Sequence, residues 1–402
     1  MRATIEKSRA IGSLMAPPSK SVQHRYILSA ALAEGVSTVS NIDLSQDITA
    51  TLGCAKELGA EVTLGERQVT IKGIANSFNV SKAKLDCNES GSTMRFLMGI
   101  IMGLGGDAQF YGSETLRKRP MDVYKNICAD QGLTFEVNED NIHIAGKLKG
   151  GEFIIPGDIS SQFITGLLFS LPLLAEDSTI KLINTIESRS YIDLTINALA
   201  EFGVKIVWAN DTDLFIAGNQ KYKAADVVTE GDYSNAAIID AFNFVGGDFE
   251  LKGLKEASVQ GDKVYKKFFD EAKGGKIEID ISDCPDLGPI LMAIGAAKDG
   301  IIMNGTRRLK IKESDRGLAM QQELNKFGVE TIVEENRIEV KGGMLKTPTE
   351  ILDGHNDHRI VMSLCVLLSL TSGSIDGAQA VRKSYPGFFE DITKLGINVV
   401  LE

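Results

Sequence analysis

Six short polar clusters hold the residues of this chain whose types and spacing are suited to chemistry. Each cluster opens an apolar, helix-like stretch, and the clusters recur roughly every 70 residues, apart from one shorter interval. They begin near Ser19, Glu89, Asp158, Gly231, Asp283 and His355. Helix N-termini attract anions because their first backbone N–H groups lack helical partners and the helix dipole is positive there. Six such helices could therefore aim their N-termini at one place and bind an anion.

The charged side chains of the clusters fit the same kind of ligand. An acidic protein that concentrates cations at one site would bind small polyanions there. Two carboxylates, Asp286 and Glu313, lie among these cations and are suited to proton transfer. The cations are Lys20, Arg25, Arg95, Arg119, Lys312, Arg316 and Arg359. Taken alone, each cluster also fits an ordinary capped helix with solvated charges, so the recurrence carries the interpretation.

A metal site is the other chemistry that one cluster suggests. His355 and His358 are two of only four histidines in the chain. No third ligand group has a matching spacing, so the sequence predicts no metal site.

The elements that position the clusters follow a repeated order of helix, strand, helix and two strands. In the first repeat, residues 21–33 and 47–58 are predicted helices, 36–42 is a strand, and 61–64 with 68–72 form a hairpin. Similar helix–glycine–strand endings recur at 129–137, 200–207, 271–279, 324–333 and 393–400. The ending at 271–279, in the fourth repeat, is the weakest, because it has two helix-breaking glycines, Gly274 and Gly275.

The first helix of each repeat is apolar on most faces, as in 163–174 and 361–370. Helices of this kind are buried on all sides. The sequence therefore predicts an α/β fold in which strands and outer helices surround buried parallel helices. A solenoid also fits a repeat, but two globular groups of three repeats, divided near Gly231, fit the repeat length better.

Composition narrows the class of protein. The chain has 402 residues and a net charge of −11, which argues against a nucleic-acid partner. Five cysteines without paired spacing favour a reducing compartment. No signal peptide is recognisable, and the longest apolar run, 163–175, is too short to span a bilayer. We expect a cytoplasmic protein with no membrane partner.

Seven short motifs occur in one order over essentially the whole chain. They are PSKSVQHR (18–25), SGSTMR (90–95), SSQF (160–163), YID (191–193), PD (285–286), IKESDR (311–316) and NDHR (356–359). In sequence and spacing they resemble the motifs of the 5-enolpyruvylshikimate-3-phosphate synthase family of enolpyruvyl transferases. The resemblance implies two inverse α/β-barrel-like domains, each of three βαβαββ repeats around buried parallel helices. It places residues 15–229 in one domain and residues 1–14 with 230–402 in the other, with the active site in the cleft between them.

The resemblance also implies a reaction. The family moves the enolpyruvyl group of phosphoenolpyruvate to the 5-hydroxyl of shikimate 3-phosphate and releases phosphate. This step belongs to the shikimate pathway, which leads to chorismate and the aromatic amino acids. We expect a monomer that binds two small-molecule substrates and uses no cofactor.

Residue roles carry over motif by motif. Asp286 would take the proton from the attacking hydroxyl, and Glu313, with Lys20, would serve the proton delivered to the methylene carbon. Shikimate 3-phosphate would contact Lys20, Ser21, Arg25, Ser160, Ser161, Gln162, Ser188, Tyr191, Asp286 and Lys312. Phosphoenolpyruvate would contact Lys20, Gly91, Arg119, Gln162, Arg316, Arg359 and Lys383. The sequence departs from the family pattern at Glu89 and Arg308, where asparagine is frequent.

Two alternatives stay open at this point. A related transferase places enolpyruvyl on UDP-N-acetylglucosamine, but it has Lys-Asn where this chain has Lys20-Ser21. It also carries a reactive cysteine in the loop that corresponds to 112–119, which has none here. A non-catalytic polyanion-binding scaffold could use the same repeats, although it would not need Asp286 and Glu313 among its cations.

Overall fold

A computed structural model describes residues 1–75 and 82–402, which contain 22 strands and 13 α-helices. The strands are β1 (Arg2–Glu6), β2 (Ile11–Met15), β3 (Val36–Ser40), β4 (Glu61–Gly65), β5 (Gln68–Lys72), β6 (Ala83–Asp86), β7 (Asp107–Tyr111), β8 (Thr134–Val137), β9 (Asn141–Ala145), β10 (Gly151–Pro156), β11 (Ser178–Ile183), β12 (Ile206–Trp208), β13 (Asp213–Ile216), β14 (Asp226–Val228), β15 (Asp248–Lys252), β16 (Ile277–Asp280), β17 (Gly300–Asn304), β18 (Thr331–Val333), β19 (Arg337–Lys341), β20 (Leu352–Asp353), β21 (Gly373–Asp376) and β22 (Asn398–Leu401). The helices are α1 (Lys20–Leu32), α2 (Gln46–Glu57), α3 (Gly91–Leu104), α4 (Glu114–Arg117), α5 (Asp122–Gln131), α6 (Ser161–Ser170), α7 (Arg189–Glu201), α8 (Tyr233–Phe244), α9 (Tyr265–Ala272), α10 (Gly288–Ala297), α11 (Arg316–Lys326), α12 (His358–Thr371) and α13 (Phe388–Lys394).

The chain divides into two compact units. Residues Lys20–Glu230 form the continuous unit, and Met1–Ser19 with Gly231–Glu402 form the discontinuous unit. The sequence interpretation placed residues 15–19 in the continuous unit and residue 230 in the discontinuous one, and in the structure both assignments are reversed. Long-range backbone bonds hold residues 16 and 17 in the discontinuous unit: the N–H of Ala16 donates to the carbonyl of Lys252, and the N–H of Asp232 donates to the carbonyl of Pro17, both at 2.8 Å.

The continuous unit contains three four-stranded sheets, in the orders β14-β3-β5-β4, β6-β7-β9-β8 and β10-β11-β13-β12. In each sheet the first two strands are parallel and the other neighbours are antiparallel. A helix joins each parallel pair in the second and third sheets. The first sheet instead receives its parallel strand, β14, from the end of the unit.

The discontinuous unit contains two sheets of the same design, β16-β17-β19-β18 and β20-β21-β1-β22. The N-terminal strand β1 pairs with β21 and β22, so the start of the chain completes the last sheet, as the family resemblance implies. The third sheet has only β2 and β15, which are parallel. The strand after α9 pairs with β17 and belongs to the next sheet, so the ending at 271–279 does not build a hairpin. Among the described residues, all six sheets are open rather than closed barrels.

The apolar helices are buried, as their sequences predict. In α12 the residues from His358 to Ser369 are buried, and in α10 those from Gly288 to Ala296. Helices α3 and α6 approach closely, because a Cβ at Gly99 would lie 2.3 Å from the carbonyl oxygen of Gly166. Glycine permits this backbone approach, which fixes the N-termini of α3 and α6 beside each other.

Candidate active site

Each of the six polar clusters lies at the N-terminal end of a buried helix. The helices are α1, α3, α6, α8, α10 and α12. Several cluster residues cap these helices: Ser90 Oγ accepts from the backbone N–H of Thr93 at 3.2 Å, and Asp357 accepts from that of Arg359 at 2.9 Å. Capping side chains satisfy N–H groups that lack helical partners. The clusters therefore cap helices, as the alternative of ordinary capped helices predicts. Whether they also form a binding site depends on the charged residues near them.

In the continuous unit, the first cluster supplies Lys20 and Arg25. Lys20 Nζ pairs with Asp47 Oδ2 at 2.8 Å, and both side chains are largely buried. Arg25 is 3% exposed, and it donates to Thr195 Oγ1 at 2.9 Å and to the carbonyl of Ser21 at 2.7 Å. Burial lowers the pKa of Arg25 to about 10, so the guanidinium stays charged near neutral pH. This buried cation is suited either to binding an anionic ligand or to a purely structural role.

The second and third clusters meet at Gln162. Its amide oxygen accepts from Arg95 at 2.7 Å, and its amide nitrogen donates to Ser92 Oγ at 3.0 Å. Gly91 lies beside it, because a Cβ at Gly91 would be 3.0 Å from Arg119 NH1 and 3.6 Å from Gln162 Oε1. The predicted residues Gly91, Arg119 and Gln162 are therefore neighbours, and a side chain at 91 would crowd the arginine.

Hydroxyl groups line the starts of α6 and α7. Ser160 Oγ accepts from the backbone N–H of Gln162 at 3.3 Å, and Ser161 follows as the first residue of α6. Ser188 is buried and has φ of 57°, a conformation in which serine is uncommon. The carbonyl of Tyr191 accepts from Arg25 NH2 at 3.1 Å, so α7 is joined to α1 at the first cluster.

In the discontinuous unit, Asp286 is surrounded by cations. It lies in the 3-10 turn Pro285–Leu287 before α10. Its carboxylate pairs with Arg316 at 2.9 Å, with Lys312 at 3.1 Å and with Arg359 at 3.1 Å. Burial alone would raise the pKa of Asp286, but the charges of Arg359, Lys312 and Arg316 outweigh it and hold the pKa well below its usual value. Asp286 is therefore ionised.

Arg316 is the most enclosed of these cations, at 1% exposed. It donates to Asp357 at 2.8 Å and to Glu313 at 2.7 Å, as well as to Asp286. Burial would lower the pKa of Arg316, but Asp357, Glu313 and Asp286 raise it above the usual value. For Lys312 the balance is reversed: burial lowers its pKa, and the attraction of Asp286 only partly opposes that.

Lys383 completes the predicted set from a distant part of the sequence. It ends the 3-10 turn Ala378–Lys383, and its Nζ donates to the carbonyl of Asn356 at 2.5 Å. This bond places Lys383 against the turn before α12, whose first turn carries Arg359. The structure thus joins Asp286, Lys312, Glu313, Arg316 and Arg359 by ion pairs and places Lys383 beside the turn that leads to Arg359.

Sequence reasoning assigned no role to three buried acidic residues that lie among or near these groups. Asp47 pairs with Lys20, and Asp357 pairs with Arg316 while it caps α12. Asp262 is 3% exposed and bonds to Ser234. Burial raises the pKa of Asp262 to about 6, with Asp286 adding to this and Arg359 opposing it. Asp357 stands inside the NDHR motif, so its signal was present, whereas Asp47 and Asp262 had none.

Residues 1–75 and 82–402 contain no group of three or more histidine, cysteine or acidic residues placed to hold a metal ion. No helix among them is long and apolar enough to cross a membrane.

Comparison with known proteins decides the family. The model of the family described as EPSP synthase (3-phosphoshikimate 1-carboxyvinyltransferase) matches residues 5–392. The chain belongs to the EPSP synthase family. A member of this family from Clostridium kluyveri, named 3-phosphoshikimate 1-carboxyvinyltransferase, is 38% identical over 98% of this chain and 97% of its own length. One from Clostridium perfringens with the same name is 40% identical over 98% of both chains.

Solved structures agree on the fold. EPSP synthase from Acinetobacter baumannii superposes with a TM-score of 0.83 at 22% identity and covers 100% of both chains. The enolpyruvyl transferase NikO from Streptomyces tendae gives a TM-score of 0.78 at 14% identity, over 99% of this chain and 98% of that one. The two-domain enolpyruvyl transferase fold is therefore confirmed.

Proposed function

We propose that this protein transfers the enolpyruvyl group of phosphoenolpyruvate to the 5-hydroxyl of shikimate 3-phosphate and releases phosphate, in the shikimate pathway to chorismate and the aromatic amino acids. Family membership over nearly the full length supports this activity. The observation that carries it is the ionised Asp286 held between Lys312, Arg316 and Arg359 at 2.9–3.1 Å. A carboxylate that can accept a proton thus lies directly among cations that can bind phosphate and carboxylate groups.

For phosphoenolpyruvate, we assign Arg316, Arg359 and Lys383 in the discontinuous unit. In the continuous unit, the set is Lys20, Gly91, Arg119 and Gln162. Arg316 already donates to three carboxylates, one of which is Asp286. An incoming anion must therefore compete with Asp286 for the cations that surround this carboxylate. This competition has a chemical consequence. Phosphate and carboxylate groups that neutralise the cations would raise the pKa of Asp286 and make it a better base.

For shikimate 3-phosphate, we assign the buried Arg25 as the cation that receives the phosphate, supported by its contacts to Thr195 and the α7 backbone. Hydroxyl and amide donors at helix starts would orient the rest of the molecule. The proposed set is Lys20, Ser21, Arg25, Ser160, Ser161, Gln162, Ser188, Tyr191, Asp286 and Lys312. Residues of both units are therefore assigned to the same pair of substrates.

The acid–base roles are divided between two carboxylates. Asp286 takes the proton from the attacking hydroxyl, and Glu313, with Lys20, serves the proton delivered to the methylene carbon. Glu313 bonds to Arg316 at 2.7 Å and its side chain is 19% exposed, so a substrate can reach it. The two carboxylates share Arg316, which ties their positions together.

We further propose that the enzyme works as a cytoplasmic monomer without a cofactor, and that its partners are its two substrates rather than a nucleic acid or a membrane. The net charge of −11 supports the exclusion of nucleic acid. All five cysteines are buried and unpaired in the described residues, which fits a reducing compartment. Sedimentation of the purified protein at micromolar concentration tests the oligomeric state, and a mass of two chains would contradict it.

The test of function is phosphate release from phosphoenolpyruvate with each of two acceptors. With shikimate 3-phosphate we expect steady release and, by mass spectrometry, a product that carries one enolpyruvyl group. With UDP-N-acetylglucosamine we expect none. Release with the nucleotide sugar alone would assign the protein to the other acceptor, and release with neither would overturn the proposal.

A further inference from the structure

The turn before α12 is strained. His355 and Asn356 have φ of 48° and 49°, so two consecutive non-glycine residues lie in the left-handed region. Such residues are uncommon and persist only where the surrounding structure holds them. The contacts that hold this turn therefore also fix the positions of the residues next to it.

The turn and the residue after it contact the cations assigned to phosphoenolpyruvate. The carbonyl of Asn356 accepts from Lys383 Nζ at 2.5 Å. Asp357, the next residue, accepts from Arg316 at 2.8 Å and from the backbone N–H of Arg359 at 2.9 Å. A shift of this turn would move the partners of all three cations.

A buried carboxylate on α11 holds the turn from the other side. His355 Nε2 and Glu323 Oε1 are 3.0 Å apart, and Glu323 is 1% exposed. Glu323 Oε2 also accepts from the backbone N–H of Asp353 at 3.0 Å and from Lys326 at 2.8 Å. Helix α11 begins with Arg316, so this helix contacts the segment before α12 at two points: Arg316 pairs with Asp357, and Glu323 pairs with His355.

The His355–Glu323 contact depends on charge. The hydrogen bond to Glu323 raises the pKa of His355, against burial, with Asp353 supporting the shift and Lys326 opposing it. Burial would raise the pKa of Glu323, but its bonds to His355, Lys326 and the Asp353 backbone lower it. Glu323 and Lys326 from α11 and Asp353 from β20 are the charged side chains that shift the pKa of His355. Because the pKa of His355 is raised, the ion pair is complete at low pH and is lost as pH rises through that pKa.

We propose that His355 is a positioning residue for phosphoenolpyruvate: its protonated ring, bound to Glu323, holds the turn 355–356 so that Lys383, Arg316 and Arg359 keep their places. The inference rests on the proposed function. It makes the KM for phosphoenolpyruvate sensitive to pH in the range where histidine titrates, while kcat depends on Asp286 and follows a different profile.

The test compares His355→Gln with His143→Gln. His143 is a matched control in the other unit, since its ring also pairs with carboxylates, those of Asp107 and Glu136, and its pKa is also raised. The KM for phosphoenolpyruvate is measured from about pH 6 to 9. In the unmodified enzyme and in His143→Gln, we expect the His355 contribution to raise KM by about three- to fivefold across this range. In His355→Gln that component should be absent, and KM at low pH should already be raised.

A second variant and a binding measurement keep the outcomes separate. Glu323→Gln should reproduce the flattened KM profile, and NMR titration of the four histidines should show the His355 pKa fall in this variant. If His355→Gln keeps the pH profile of the unmodified enzyme, the positioning role is wrong. If the unmodified enzyme turns over neither acceptor, the proposed function fails. In that case calorimetric titration with phosphoenolpyruvate, at both ends of the pH range, still tests the positioning role. If the affinity depends on pH equally in the unmodified enzyme and in His355→Gln, the positioning role is wrong.

Discussion

Replacement of Asp286 by asparagine separates binding from chemistry. The variant keeps the size of the side chain and removes the charge that pairs with Lys312, Arg316 and Arg359. Arg316 retains Asp357 and Glu313, so we expect the fold to persist. A positioned general base typically contributes about 10²–10⁴-fold to rate, and kcat should fall by that factor, or about 3–5 kcal/mol in activation free energy.

The affinity for phosphoenolpyruvate should not fall with kcat. Three cations lose one competing carboxylate, so the KM for phosphoenolpyruvate should stay equal or decrease. The assay is phosphate release at saturating shikimate 3-phosphate, with thermal unfolding measured on the same samples. Asp283→Asn is the matched control, because this exposed carboxylate lies three residues earlier and should leave kcat unchanged. A kcat of Asp286→Asn within about threefold of the unmodified enzyme would refute the role of Asp286 as base.

Three further variants test other parts of the account. Arg25→Lys should raise the KM for shikimate 3-phosphate by roughly tenfold or more, since lysine cannot reproduce the guanidinium's several bonds; initial-rate kinetics check this, and a change below twofold would contradict it. Gly166→Ala should lower the unfolding temperature by several degrees, because a Cβ there would lie 2.0 Å from the Tyr124 hydroxyl, whereas Gly53→Ala meets no atom within 4 Å and should be neutral or stabilising. Asp357→Asn should cost about 1–3 kcal/mol of unfolding free energy, since Arg316 loses its most buried partner but keeps Asp286 and Glu313. The pKa of Asp357 is lowered, because the charge of Arg316 outweighs burial, so this contribution is present near neutral pH and is lost as pH falls below the usual carboxyl range; denaturant titrations at several pH values would show the acid-side loss only in the unmodified enzyme.

Local signals in the sequence predicted most elements of the fold. The helices predicted at 21–33 and 47–58 are α1 and α2 to within a residue, because polar caps and glycines mark their ends. The hairpin of β4 and β5 is confirmed for the same reason. The burial of α12 followed from its apolar composition.

Long-range pairing was beyond such signals. The pairing of β1 with β21 joins residues from Arg2 with Asp376 to Ile5 with Gly373, at opposite ends of the chain, and only the family resemblance indicated it. Alternation and breakers report local conformation, not the partner of a strand. The missing hairpin after α9 shows the same limit, since Gly274 and Gly275 marked the irregularity without revealing that β16 pairs forward with β17.

For the candidate site, too, the sequence indicated the residues but not the contacts between them. Residue types at helix starts indicated Asp286, Arg316 and Arg359, but not that all three share ion pairs. The pairing of Lys20 with Asp47 and the burial of Asp262 depend on packing between elements. No spacing within the sequence encodes these contacts.

A crystal structure of Asp286→Asn with both substrates tests the central claim most directly. We expect phosphoenolpyruvate against Arg316, Arg359 and Lys383, and the 5-hydroxyl of shikimate 3-phosphate within hydrogen-bond distance of residue 286. Well-defined substrates bound away from these side chains would contradict the account.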